Sequence, residues 1–233
     1  GRAKQYRHAC EHPRTVLTVN RIGSPDPSGI TYDPVRRQLI ISDGEVDEMA
    51  LYAGTNLFLS SLDGTQAPDF PGGTTLPHSN EPAGVSYRSA DGTLFVSDDD
   101  KDRIFSFEPG GDGRHGTGDD TVTSFSTRDV IGNSDPEDVA VDMDVTANGH
   151  VLVIDGTDKE VFDYGPGDNG VFDGLATDGD DTVTSFDVAR HGVEAAFGPF
   201  LLGLLDALLA RGHEVPLDEA RAHRLAGQQH HRD

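Results

Sequence analysis

The sequence predicts an all-β fold of repeated four-stranded sheets, with a short helical segment at the C-terminal end. Three observations predict it. A segment recurs three times, starting at Asp26, Glu81 and Asp135, with starts 55 and 54 residues apart. Each copy holds short apolar runs separated by turn residues, at the period of strands rather than of helices. The composition is also turn-rich: 28 Gly and 13 Pro accompany a hydrophobic content of only 35% in 233 residues.

Each copy opens with an acid followed by proline: Asp26-Pro27, Glu81-Pro82 and Asp135-Pro136. Proline is tolerated at the first position of a strand, where its missing N–H costs little. A first strand follows, with Ile30 and Tyr32, Val85 and Tyr87, and Val139 and Val141 alternating at period two. Arg36-Arg37-Gln38, Asp91-Gly92-Thr93 and Asn148-Gly149-His150 stand where a hairpin turn is needed, and Asp-Gly and Asn-Gly favour positive φ. The next runs, Leu39 to Ile41, Leu94 to Val96 and Val151 to Ile154, are continuously apolar. That pattern fits strands buried on both faces. A third strand is expected at Asn56 to Leu59, Arg103 to Phe107 and Glu160 to Tyr164. A fourth is expected in two copies, at the two TVTSF segments over 121–125 and 182–186. Four short strands in a repeat of this length make one blade of a β-propeller.

Three copies are clear, and a fourth start falls near Glu194. The expectation is a propeller or an incomplete propeller of about three to four blades, each about 55 residues long. Residues 1–23 form an N-terminal extension or the last strand of a preceding blade, and 24–194 hold the blades. Residues 195–233 form the helical tail, with Gly212 as a helix stop. An unclosed ring leaves a sheet edge through which copies can associate.

The formal net charge is −23. Nucleic acid is excluded as a partner, because nothing here neutralises phosphates. An anionic membrane surface is excluded for the same reason. The apolar segment Phe197 to Ala210 is interrupted and too short to cross a bilayer. The single cysteine, Cys10, permits no internal disulfide. Residues 1–10 lack the apolar stretch of a secretory leader. The ten histidines form no zinc set, and there is no GxSxG elbow, P-loop or CxxC pair.

Carboxylates that repel one another are held together by solvent or by cations. Two loops concentrate them. Residues 110–120 carry Asp112, Asp119 and Asp120; residues 167–181 carry Asp168, Asn169, Asp173, Asp180 and Asp181. Calcium takes six to eight oxygens at flexible spacing, which closely spaced Asp, Asn and carbonyl groups supply. Aspartate and glycine also simply make good turns. Neither loop follows the EF-hand pattern. A second set of acids marks strand ends: Asp43, Asp98 and Asp155 after the second strands, and Glu81, Asp135 and Glu137 before or within the first strands. In a propeller such repeated positions gather at one face or the central channel. Turn and strand-end capping is the other reading.

The repeated residues Asp26 to Ile30, Glu81 to Val85 and Asp135 to Val139, with the runs ending at Asp43, Asp98 and Asp155, resemble a broad superfamily. That superfamily is the six-bladed propellers of the NHL, SMP-30/gluconolactonase, SdiA-regulated and phytase-like groups. The likeness is strongest to secreted bacterial DPEGIAYDP…LFVSD repeat proteins and covers about residues 24–190. The pattern departs at Ser28, Ala83 and Asp138. The resemblance implies a secreted or periplasmic protein that associates with calcium ions and binds or scaffolds an unidentified small molecule or protein. It also implies an alternative, a calcium-dependent hydrolase. Metal ligands of the hydrolases match no residues here one by one.

Overall fold

The computed structural model describes residues 22–66, 72–128, 132–143, 148–175 and 179–188. The expected helical segment, the fourth repeat start near Glu194 and nearly all of the N-terminal extension lie outside the described residues. Among the described residues, twelve strands form three four-stranded antiparallel sheets. The first sheet is β1 (Pro27–Asp33), β2 (Gln38–Asp43), β3 (Leu57–Ser61) and β4 (Gly72–Gly73). The second is β5 (Pro82–Tyr87), β6 (Leu94–Asp98), β7 (Arg103–Glu108) and β8 (Thr121–Ser126). The third is β9 (Pro136–Asp142), β10 (His150–Asp155), β11 (Glu160–Gly165) and β12 (Thr182–Asp187). Within each sheet the strands follow chain order, and β1 lies against β5 and β5 against β9. This is the arrangement of an incomplete β-propeller, with three blades side by side on their innermost strands.

The repeats begin where the sequence places them. One difference is the fourth strand of the first blade, a two-residue pairing at Gly72–Gly73. No side-chain pattern announces it, because backbone pairing alone makes it. A Cβ at Gly72 would lie 2.0 Å from the Leu57 carbonyl oxygen, so only glycine fits this approach. The hairpin turns carry the expected backbone: φ is 56° at Arg37, 85° at Gly92 and 73° at Gly149.

Two apolar layers join the blades. Ile40, Leu57 and Leu59 of the first blade pack on Val85, Leu94, Val96, Phe105 and Phe107 of the second. Phe95, Ile104 and Phe125 of the second pack on Val139, Val151, Val153, Phe162 and Tyr164 of the third. Burying one such phenylalanine contributes about 2–3 kcal/mol. The alternation of the first strands therefore serves the joint with the preceding blade. Val85 and Val139 are each 3% exposed, but Ile30, at the matching position of the first blade, is 62% exposed and Tyr32 is 42% exposed. Among the described residues, no blade stands before β1 to cover them.

Hydroxyl groups latch the inner strands. Ser42 Oγ accepts the Gly29 N–H at 3.0 Å and donates to the Ala83 carbonyl at 3.2 Å. Its counterpart Ser97 accepts the Gly84 N–H at 2.8 Å and donates to the Glu137 carbonyl at 3.3 Å. Thr31 Oγ1 accepts the Tyr87 N–H at 3.1 Å, and Ser86 Oγ accepts the Val141 N–H at 3.1 Å. These short side chains reach the next blade only because the inner strands nearly touch. A Cβ at Gly29 would lie 2.9 Å from the Gly84 Cα, and one at Gly84 would lie 2.5 Å from the Asp138 Cα.

Two substitutions test the joint by urea unfolding. Gly84→Ala is expected to cost about 3 kcal/mol, the upper part of the range for overpacking. Ser97→Ala is expected to cost about 1–3 kcal/mol, because it strands the buried Gly84 N–H. Gly118→Ala, with open space around the position, is the control and should change stability by no more than about 0.5 kcal/mol. Equal effects at Gly84 and Gly118 would remove the close approach as the reason for glycine.

Candidate functional site

The strand-end aspartates are placed by the turns that follow them. Asp43, Asp98 and Asp155 are all buried. Each accepts the N–H three residues on: Val46 at 3.0 Å, Lys101 at 2.7 Å and Asp158 at 2.5 Å. The second carboxylate oxygen reaches back to the segment before the first strand in two blades. Asp43 Oδ2 accepts the Asp26 N–H at 2.9 Å together with the Ser24 hydroxyl, and Asp155 Oδ2 accepts the Ser134 N–H at 3.2 Å. In the second blade Asp98 Oδ2 has no donor, and the buried Ser79 hydroxyl, two residues before Glu81 as Ser24 is two before Asp26, has no partner. These aspartates thus cap the link between second and third strands.

At the same end of the inner strands, carboxylates from neighbouring blades converge. Oxygen atoms of Asp99, Asp135 and Glu137 lie within 4.8 Å of one another. Asp135 is fixed by the Thr157 hydroxyl at 2.8 Å. Asp99 stands where the other two blades have Gly44 and Gly156, and its Oδ1 is buried without a donor. A Cβ at Gly156 would meet the Glu137 side chain at 2.7 Å, so the third-blade glycine leaves room for this acid. Glu81 faces the group from the start of β5. Burial pushes its carboxyl up to about 7, helped by the charges of Asp99, Glu45, Asp100 and Asp98. Burial also raises Glu137 and Asp99, with Asp135 adding to both. The sequence reading named Glu81, Asp135 and Glu137 as central acids. Asp99, the member that joins two blades, was legible only as part of an Asp98-Asp99-Asp100 run.

The two acidic loops differ in how their carboxylates are used. In the second-blade loop, Asp120 Oδ2 accepts the N–H groups of Gly116 at 2.7 Å and Thr117 at 3.2 Å. Asp119 takes the Thr117 hydroxyl at 2.7 Å and the Asp112 N–H at 3.3 Å, while Asp112 takes the Arg114 N–H at 2.8 Å. The Thr117 hydroxyl and then the Asp112 N–H hold the Asp119 carboxyl below the usual range. His115, a buried member of this loop, bonds the Gly92 carbonyl at 2.7 Å and packs edge-on to Tyr87.

In the third-blade loop, Asp180 Oδ2 accepts the N–H groups of Asp168 at 2.9 Å and Asn169 at 3.2 Å. Asp173 takes the Asn169 amide at 2.8 Å and the Asp180 N–H at 3.2 Å. Asp181 Oδ2 takes the Gly174 N–H at 2.8 Å, but Asp181 Oδ1 is buried without a donor. Asp181 is 6% exposed, and its carboxyl is pushed up to about 6 by burial, with Asp173 and Asp180 contributing. Oxygens of Asp173, Asp180 and Asp181 lie within 4.8 Å of one another.

Beside this loop opens a cleft of about 380 Å³, lined by Asn148, His150, Gly165, Asp168, Asp180 and Thr182. His150 Nδ1 pairs with Asp163 Oδ1 at 2.7 Å. The pair belongs to the third blade alone, since the matching positions hold Gln38 and Leu59 in the first and Thr93 and Ser106 in the second. The sequence reading did not single out either residue, because a lone His at a strand start carries no spacing signal. Among the described residues, no helix is long and apolar enough to cross a membrane.

The crowding around Glu81 has a pH signature. A carboxyl raised on folding binds its proton more tightly in the native state. Its stabilising effect is full below about pH 4.5, the unfolded value, and is lost as pH rises through about 7. Glu81→Gln is therefore expected to raise the melting temperature at pH 8 and leave it nearly unchanged at pH 5, by calorimetry in chelator. A variant that melts lower at pH 8 would show that the ionised carboxylate is instead stabilised there.

No protein-family model matches the chain, and no curated protein matches it. Seven chains of solved structures match. One belongs to a crystal structure of a nidogen–laminin complex, at 20% identity and a TM-score of 0.38. The match covers 60% of this chain and 43% of the nidogen–laminin chain, so this chain spans under half the length of that neighbour.

Proposed function

We propose that this chain is an extracellular propeller module that binds or scaffolds a partner, with calcium bridging its crowded carboxylates. One observation carries the reading. Two separate sets of three carboxylates, at the inner strand ends and in the third-blade loop, bring oxygens within 4.8 Å of one another. Two oxygens that share one calcium at about 2.4 Å stand at most about 4.8 Å apart. The excess of acid makes such bridging favourable throughout the molecule. Extracellular calcium modules work with dissociation constants of about 0.1–1 mM, so the reading pairs naturally with a secreted or periplasmic location. The likeness of the repeats to secreted bacterial DPEGIAYDP…LFVSD repeat proteins supports the same compartment.

A second reading, a metal-dependent hydrolase of phosphoesters or lactones, is favoured by Glu81. A carboxyl held near pH 7 beside a carboxylate cluster suits a general acid or base next to a cation that activates water. A screen of both substrate classes with added calcium tests it, and hydrolysis lost in Glu81→Gln is the expected sign. Inactivity across both classes ends it.

Calorimetric titration with calcium chloride tests the first reading. Binding at a hundredfold excess over Kd stabilises by about 2.7 kcal/mol, which raises Tm by about 5–10 °C for a domain of this size. That rise should vanish in chelator. No heat, with no chelator-sensitive shift, would remove calcium from the proposal.

A further inference from the structure

We propose that the calcium site is the third-blade loop, at Asp173, Asp180 and Asp181, and that the second-blade loop of similar sequence is a hydrogen-bonded turn without an ion. The inference rests on the calcium reading above and assigns it to residues.

The two loops read alike in sequence, since both are rich in Asp and Gly and both end in Asp-Asp before TVTSF. Their donors separate them. In the second-blade loop, the Thr117 hydroxyl and the Asp112 N–H occupy the two oxygens of Asp119, and the Gly116 and Thr117 N–H groups occupy Asp120 Oδ2. Among the described residues, that loop contributes no set of three converging acids. Its carboxylates are consumed in shaping the turn. In the third-blade loop the acids converge, and one is left over. Asp181 is more than nine-tenths buried, and its Oδ1 has no donor. A buried carboxylate oxygen without a donor is costly unless a cation meets it. The two companions, Asp173 and Asp180, each bring a carboxylate oxygen within 4.8 Å of one of the Asp181 oxygens, and so add negative charge beside the buried carboxylate.

The backbone is shaped to keep the acids together. Gly179 lets the returning strand pass over Asp173, where a Cβ would lie 2.0 Å from Asp173 Oδ1 and 2.4 Å from the Gly174 carbonyl oxygen. Gly174, at φ 99°, turns its N–H onto Asp181 Oδ2. Asp168 and Asn169 hold Asp180 from the other side through their N–H groups. Three carboxylates supply about half of the six to eight oxygens calcium takes. Asp180 also forms part of the wall of the 380 Å³ cleft, so the remaining positions open to solvent there. The other converging set, Asp99, Asp135 and Glu137, has no fully buried member, since Asp99 and Asp135 are half-buried and Glu137 is exposed, so water reaches all three.

The test is calorimetric titration of the full chain with calcium chloride, in wild type, Asp181→Asn and Asp119→Asn. Asp181→Asn is expected to weaken calcium binding at least tenfold. It should also melt at or above the wild-type temperature in chelator, because a neutral amide relieves the buried charge. Asp119→Asn should bind calcium within twofold of wild type. Wild-type affinity in Asp181→Asn, or lost binding in Asp119→Asn, overturns the assignment and leaves the calcium reading intact. Silence in wild type removes both. If Asp181→Asn fails to fold, Asp173→Asn, at a partly exposed position, takes its place with the same expected outcome.

Discussion

The structure depends on how closely the innermost strands approach. Gly29 and Gly84 let neighbouring backbones come together without a Cβ between them. Only at that distance do the hydroxyls of Ser42 and Ser97 span from one blade to the next. The apolar layers fill the wider space farther from the axis, where Phe95, Phe105 and Phe107 find room. The taper from glycine and serine inside to phenylalanine outside is what lets flat sheets stack radially rather than in parallel.

That approach also creates the electrostatic problem of the molecule. Each blade begins with an acid and ends its second strand with an aspartate. Set in separate proteins, such carboxylates would be solvated and indifferent to each other. Brought together by the inner joint, Asp99 of one blade meets Asp135 and Glu137 of the next. Burial and repulsion then raise the carboxyls of Glu81, Asp99 and Glu137. The strand-end aspartates are turned to another use, as acceptors for the N–H groups of the turns that follow them. The same chemical group is thus a cap at Asp98 and a crowded, partly unsatisfied carboxylate one residue on, at Asp99.

Much of the fold was legible because repetition multiplies weak signals. A single acid-proline pair or Asp-Gly turn says little, but three aligned copies locate the blades and their first three strands. What repetition does not encode was missed. The Gly72–Gly73 strand lacks a side-chain pattern, and Ser42 and Ser97 look like ordinary polar residues in a strand. For the site, sequence marked both acidic loops but had no means of telling them apart. Whether a carboxylate is satisfied depends on which N–H groups the backbone turns toward it. In the second-blade loop Gly116 and Thr117 do so for Asp120, whereas Asp181 keeps an oxygen bare. His150 and Asp163 were invisible for a related reason: they are 13 residues apart and meet only across a strand pair.

The third blade shows that the latch has a direction. Where the first two blades offer Thr31 and Ser86 to the next inner strand, the third has Ala140. Where they offer Ser42 and Ser97, it has Ile154. Where they have Gly29 and Gly84, it has Asp138, a half-buried acid whose carboxyl burial pushes up to about 6. Neither Ala140 nor Ile154 can donate or accept through its side chain, and the Asp138 Cβ occupies the space that close approach requires. A fourth inner strand of the same kind, set at the same spacing, would meet a side chain and find no hydroxyl. The three changes fall on the one face that the first two joints use, so they act together on a single property. The inner face of the third blade therefore lacks the glycine and the hydroxyls that make the first two joints.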